Sequence, residues 1–96
     1  MTFLTEHKYM DKLILELKEQ LIAQLKIKNL RPEDIGDEDP LFGSGLGLDS
    51  LDILELIVLL KHNYKLKIAN AEDGKKVFMY IKAMAEYIMV NRPQTV

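Results

Sequence analysis

Ninety-six residues, 48% hydrophobic and 29% charged, match the size and make-up of one globular domain with a single core, spanning 1–96. The absence of cysteine excludes disulfides, zinc–thiolate sites and cysteine nucleophiles. The apolar run Leu56 to Leu60 is far too short to span a bilayer, and Met1-Thr2-Phe3-Leu4 leads into charged Glu6, His7 and Lys8 rather than a secretory signal, so a cytoplasmic location is expected.

The formal net charge of −2 conceals an asymmetry. Glu33, Asp34, Asp37, Glu38, Asp39, Asp49, Asp52 and Glu55 form a block of eight acids with no Lys or Arg among them, leaving all 13 cations against seven acids elsewhere. Such a block argues against nucleic acid at that surface and for a basic protein partner. A solvated loop is the plainer reading of a charge run taken by itself.

In chain order, Met10, Leu13, Ile14, Leu17, Leu21 and Leu25 recur at helical steps, with Lys12, Glu16, Lys18, Glu19 and Lys26 between them. The pattern predicts an amphipathic helix over about 6–27. Residues 1–5 are expected to be disordered, Thr5 to be the N-cap and His7 a surface residue. Asn29 and Arg31-Pro32 end the helix and begin a long connection over about 29–49. Ile35, Leu41, Phe42, Leu46 and Leu48 along it predict an ordered loop pinned to the core. A calcium loop is rejected, because Leu41 and Gly43 stand where alternating ligands should follow Asp37-Glu38-Asp39.

Ser50 to about Tyr64 is the second predicted helix, with Ile53, Leu56, Ile57, Leu60 and Tyr64 on one face. Leu51, Leu54, Val58 and Leu59 add apolar surface beyond what one buried face needs. Lys65-Leu66-Lys67-Ile68 reads as a linker anchored by its two apolar residues. A short third helix is predicted over 71–78, weakened by Gly74, and a last helix over about 80–91, stopped by Asn91-Arg92-Pro93, with 93–96 disordered. The fold class is all-α, a small four-helix bundle of three longer helices and one short helix.

The stretch Gly43-Ser44-Gly45-Leu46-Gly47-Leu48-Asp49-Ser50-Leu51-Asp52 ends in a serine at a helix start. There a serine acts commonly as an N-cap, and an attached phosphate is also tolerated. Enzyme chemistry finds no base for it. His62 lies twelve residues along the same helix, about 18 Å of rise, whereas a nucleophile and its base must come within about 3 Å. Leu48 stands two residues before Ser50 where a nucleophile elbow needs a glycine, and no Walker lysine follows the glycine stretch. The serine is either a cap or a group offered to another enzyme.

Leu41-Phe42, then Gly47-Leu48-Asp49-Ser50-Leu51-Asp52 opening an apolar helix, and the element order through to Ala85-Glu86-Tyr87-Ile88 resemble the acyl carrier protein family over nearly the whole chain. The resemblance implies a carrier rather than an enzyme, with no metal of its own. Ser50 would carry 4′-phosphopantetheine as a phosphodiester, moved from coenzyme A by a magnesium-dependent phosphopantetheinyl transferase. The thiol of that arm, which explains the absent cysteine, would hold acyl chains as thioesters. Asp49, Leu51, Asp52, Glu55 and Val58 would form the face read by ketosynthases, acyltransferases or other enzymes with basic docking patches. Leu54 and Leu59 are the candidate walls of an acyl-chain cavity. The expected protein is a monomer with no membrane span, serving fatty-acid biosynthesis or a specialised polyketide or lipid pathway.

One departure bears on the pathway. Familiar fatty-acid carriers keep this helix acidic to its end, where the chain has Lys61, His62 and Asn63, with Lys65, Lys67, Lys75 and Lys76 following. A specialised carrier and lineage drift in a housekeeping carrier both accommodate this. A peptidyl carrier is the nearest rival, but its usual Gly-Gly is not matched by Gly47-Leu48-Asp49. A helical interaction module in which Ser50 is only an N-cap is the more distant one.

Overall fold

The computed structural model describes residues 2–43 and 45–91, with side chains from Tyr9 onward. The expectations for Met1, for His7 as a surface side chain and for residues 93–96 lie outside what it describes.

Among the described residues four α-helices follow one another: α1 (Thr2–Leu25), α2 (Ser50–Tyr64), α3 (Ala71–Val77) and α4 (Ile81–Asn91). Helix α1 begins at Thr2, so residues 2–5 are helical and Thr5 sits inside the helix rather than capping it. No proline or glycine interrupts this segment, which removes the usual reason for a later start. Its apolar stripe is buried through Leu13, Ile14, Leu17 and Leu21. The helix closes earlier than Asn29. Lys26 takes the left-handed conformation (φ 55°), its N–H donates to the Ala23 carbonyl, and the Ile27 N–H donates to the Ile22 carbonyl at 3.1 Å. This 6→1 and 5→2 pairing satisfies the orphan carbonyls of the last turn. Asn29 is left-handed too (φ 62°) but shapes the connection beyond.

Helix α2 buries Ile53, Leu56, Leu59 and Leu60, so Leu59 belongs to the core face rather than to surplus surface. Leu51, Leu54 and Val58 are the residues left exposed. The helix ends on left-handed Lys65, whose N–H donates to the carbonyls of Leu60 and Lys61. Leu66 and Ile68 are then buried, as expected of an anchored linker.

The Asn70 side chain caps α3 by accepting from the Asp73 N–H at 2.9 Å. Gly74 is not a weak point in this helix. It is buried, and a Cβ there would lie 2.9 Å from Ile53 Cγ2 and 3.4 Å from Ile57 Cδ1. Glycine lets α3 press directly onto α2, which the intrinsic helix penalty of about 1 kcal/mol does not outweigh.

The helices pack in a ring, with α1 against α2 and α4, and α3 bridging α2 and α4. One apolar cluster fills the ring, drawing Leu17 and Leu21 from α1, Leu56 and Leu60 from α2, Phe78, and Ile81, Met84 and Ile88 from α4. Among the described residues the core holds no buried polar or charged side chain. This is the all-α four-helix arrangement that the periodicity predicts.

At the rim of this core the Tyr64 hydroxyl donates toward Gln20 Oε1 at 2.9 Å and Glu16 Oε1 at 3.2 Å, tying the end of α2 to α1. Burial first, and the Glu16 carboxylate next, push its phenol from 10.0 up to about 12. The folded state therefore holds the neutral form. This stabilisation is fully present below about pH 10, where the phenol is protonated in both folded and unfolded chains. It is lost as pH climbs from about 10 to about 12. Tyr64→Phe is expected to cost about 1 kcal/mol at neutral pH. In denaturant titrations the gap between wild type and variant should close across that alkaline window, and a constant gap would contradict the assignment.

Candidate functional site

The connection between α1 and α2 is held at several points, and these fix where α2 begins. A short 3₁₀ turn spans Pro32–Asp34, with the Asp34 carboxylate accepting from the Arg31 N–H at 3.0 Å. Ile35, Leu41 and Leu48 are buried, and Phe42 and Leu46 pack partly against the core. The backbone joins the α3–α4 corner twice: the Leu41 N–H donates to the Met79 carbonyl at 3.0 Å, and the Lys82 N–H to the Asp37 carbonyl at 2.9 Å. Leu48 returns to donate to the Leu41 carbonyl at 3.0 Å, so the glycine stretch closes on itself beside α2. Gly45 is required in that closure, because a Cβ there would collide with the Pro40 carbonyl oxygen.

The chain then enters α2 through Asp49. Its carboxylate accepts from the N–H groups of Leu51 at 3.0 Å and Asp52 at 3.1 Å, and the Asp52 carboxylate accepts from the Asp49 N–H at 3.0 Å. This reciprocal capping box satisfies three backbone donors with two side chains and places negative charge at the positive end of the helix. The cap is therefore Asp49, and Ser50 is the first helical residue. The reading of Ser50 as an N-cap is corrected, and the interaction module resting on that cap loses its basis. Ser50 is exposed, and among the described residues nothing hydrogen-bonds to its hydroxyl.

Next to Ser50 lies an open cleft of about 420 Å³ lined by Phe42, Leu48, Asp49, Ser50, Ile53 and Lys75. Its walls come from the loop, α2 and α3, with apolar groups on the loop and α2 sides. Sequence reasoning named neither Asp49 as the cap nor Lys75 as a neighbour of Ser50. The spacing of Asp49 and Asp52 is a legible signal for the first. Lys75 becomes a neighbour only through the packing of α3 on α2, which no local pattern encodes.

The predicted recognition residues occupy the start and middle of α2. Leu51 is 72% exposed and Val58 55%, large apolar groups standing in water. Asp49 and Asp52 are engaged in the capping box, and Glu55 Oε1 accepts from Gln24 Nε2 at 2.8 Å. The eight-acid block is partly neutralised. Asp37 is paired with Lys18 at 2.7 Å, Glu38 with Lys82 at 3.3 Å and Glu33 with Arg31 at 3.4 Å, inside the chain. Among the described residues Asp49, Asp52 and Glu55 have no cation partner.

Leu54 and Leu59 are not brought together. Leu59 is in the core, whereas Leu54 is half exposed on a groove of about 650 Å³ between the end of α1 and the start of α2. That groove also takes in Leu25, Leu51, Asp52 and Glu55.

A family model described as phosphopantetheine attachment site matches residues 15–72, which is more than half of the chain and includes Ser50. An acyl carrier protein of Wolinella succinogenes is 31% identical over 77 residues, covering 80% of this chain and 93% of that protein. No solved structure gives a significant match. The chain belongs to the acyl carrier protein family. It is a phosphopantetheine carrier, with 4′-phosphopantetheine as its covalently attached cofactor. The start of α2 fits such a group: an exposed and unbonded hydroxyl, the positive end of a helix behind it, and a partly apolar cleft at its side.

The division of labour at the helix start is measurable. Asp49→Ala should lower stability by about 1 kcal/mol by removing the cap, whereas Ser50→Ala should change it little, because alanine is a good first-turn residue. Urea melts of the two variants test this, and the reverse order would return the cap to Ser50.

Proposed function

We propose that Ser50 is the attachment point of the arm and that this chain carries acyl groups between enzymes of a fatty-acid, polyketide or lipid pathway. The observation that carries the reading is the free hydroxyl of Ser50 at the first position of α2, left unbonded because Asp49 does the capping. Bound there, the arm supplies a thiol able to hold an acyl group as a thioester.

The chain's own residues position and present rather than catalyse. With no base hydrogen-bonded to Ser50 Oγ among the described residues, deprotonation falls to a phosphopantetheinyl transferase. The positive end of the α2 dipole tolerates a phosphodiester at this position, although the Asp49 and Asp52 carboxylates already take up part of that field. Half-buried Phe42 offers apolar surface to the part of a cargo nearest the attachment point, with buried Leu48 and Ile53 behind it. Leu54 suits a partner's surface better than a cargo cavity, given its exposure and its place in the α1–α2 groove.

Docking partners such as ketosynthases and acyltransferases meet the carrier on Asp49, Leu51, Asp52, Glu55 and Val58. Exposed Leu51 and Val58 give area, and the three acids give register against a basic patch. Among the described residues no helix is long and apolar enough to cross a membrane, which is compatible with work in the cytoplasm. The far end of the same helix is positive. Lys61, Lys65 and Lys67 are exposed and unpaired among the described residues, with exposed His62 between them. This reversal of charge along α2 favours a carrier for a dedicated set of enzymes over bulk fatty-acid synthesis.

Incubation with coenzyme A, magnesium and a transferase of broad specificity should add one phosphopantetheine mass, and Ser50→Ala should abolish the addition. An unchanged wild-type mass would contradict the reading. Expression in a strain lacking its housekeeping carrier should fail to restore growth, and full rescue would remove the case for a dedicated pathway.

A further inference from the structure

Lys75 is an exposed cation on α3 that lines the same cleft as Ser50. Its position is set by its neighbour in sequence. Gly74 presses α3 onto Ile53 and Ile57 of α2, and the next residue is thereby carried over the cleft beside the helix start. Lys75 has no acid within ion-pair distance among the described residues, although Lys18, Arg31 and Lys82 each have one. The acid that shares the cleft, Asp49, has its carboxylate turned to the N–H groups of Leu51 and Asp52. An attached phosphodiester would add a second negative charge beside Asp49. The cleft then holds two anions, one helix end and one uncommitted ammonium group.

We propose that Lys75 is the counter-ion of the phosphodiester, drawing the base of the arm toward the cleft between α2 and α3. The inference rests on Ser50 being the attachment point and adds to it a binding residue on a different helix. The ligand class is a monoanionic phosphodiester, and the contact is a charge-assisted one that a flexible lysine stem can make without reshaping the helix. Lys76, next along α3, does not line the cleft and carries the same charge, so it provides the internal control. The contact gives the arm a preferred starting direction, toward the apolar side chains of Phe42, Leu48 and Ile53 rather than toward the α1–α2 groove.

The test compares apo and holo forms of the wild type, Lys75→Gln, Lys75→Arg and Lys76→Gln, with loading confirmed by intact mass. Thermal melting is read at low and high salt, and the phosphorus NMR resonance of the phosphodiester is read in each holo form. At low salt the wild-type holo form should melt about 2–4 °C above the apo form, as one exposed ion pair in a domain of this size implies. High salt should shrink the gain. Lys75→Gln should lose at least half of it and shift the phosphorus resonance, whereas Lys75→Arg and Lys76→Gln should keep both. Equal gains and an unmoved resonance in all four proteins would overturn the inference while leaving Ser50 as the attachment point. Absence of the added mass in the wild type would overturn that attachment point, and the inference with it.

Discussion

The reciprocal hydrogen bonds between Asp49 and Asp52 are the constraint on which the site depends. Two carboxylates satisfy the first backbone donors of α2, and the residue between cap and second turn is relieved of that duty. Ser50 is thus held on rigid backbone with an idle side chain. A serine acting as its own cap would present its oxygen to the helix instead of to a transferase. Because no base among the described residues reaches Ser50, rigidity and exposure are what the chain contributes at this position.

That helix start is held in place by the α3–α4 corner. The long connection is bonded to the α3–α4 corner through Leu41 and Asp37, and Lys18 and Lys82 clamp Asp37 and Glu38. Exposed ion pairs of this kind are worth roughly 0–1 kcal/mol each. The buried side chains of Ile35, Leu41 and Leu48 do most of the anchoring. The ion pairs have a second consequence: they neutralise acids of the loop and leave Asp49, Asp52 and Glu55 as the negative charges uncompensated on α2. The acidic side chains of that helix lie beside the proposed attachment point and the basic ones from Lys61 onward, so one element presents two kinds of surface.

Much of this is legible in the sequence because the helices follow strong periodic patterns. The span Ser50–Tyr64, the pinned loop with Ile35, Leu41 and Leu48, and the buried Leu66 and Ile68 all follow from apolar spacing. Local preference misplaces the start of α1: Thr5 is a good cap residue, but that does not stop a segment with no breaker from continuing to Thr2. It misjudges Gly74 in the same way, since propensity counts the missing side chain as a loss and packing against Ile53 makes it a fit. Apolarity alone assigns Leu54 and Leu59 to one cavity, although five residues along a helix place them on different faces. The proposed attachment residue stands out through resemblance to a family. Its lack of a capping role and its nearness to Lys75 need three-dimensional geometry.

The central claim is that Ser50, freed by its neighbour's cap, is where the arm is hung. Tandem mass spectrometry of peptides from the protein isolated from its native cells tests it most directly. The account predicts phosphopantetheine on the peptide containing Gly47-Leu48-Asp49-Ser50-Leu51, with fragment ions locating it on Ser50, and the attached acyl group read from the same spectrum. The arm found on any other residue, or a Ser50 that is unmodified throughout the native population, would contradict it.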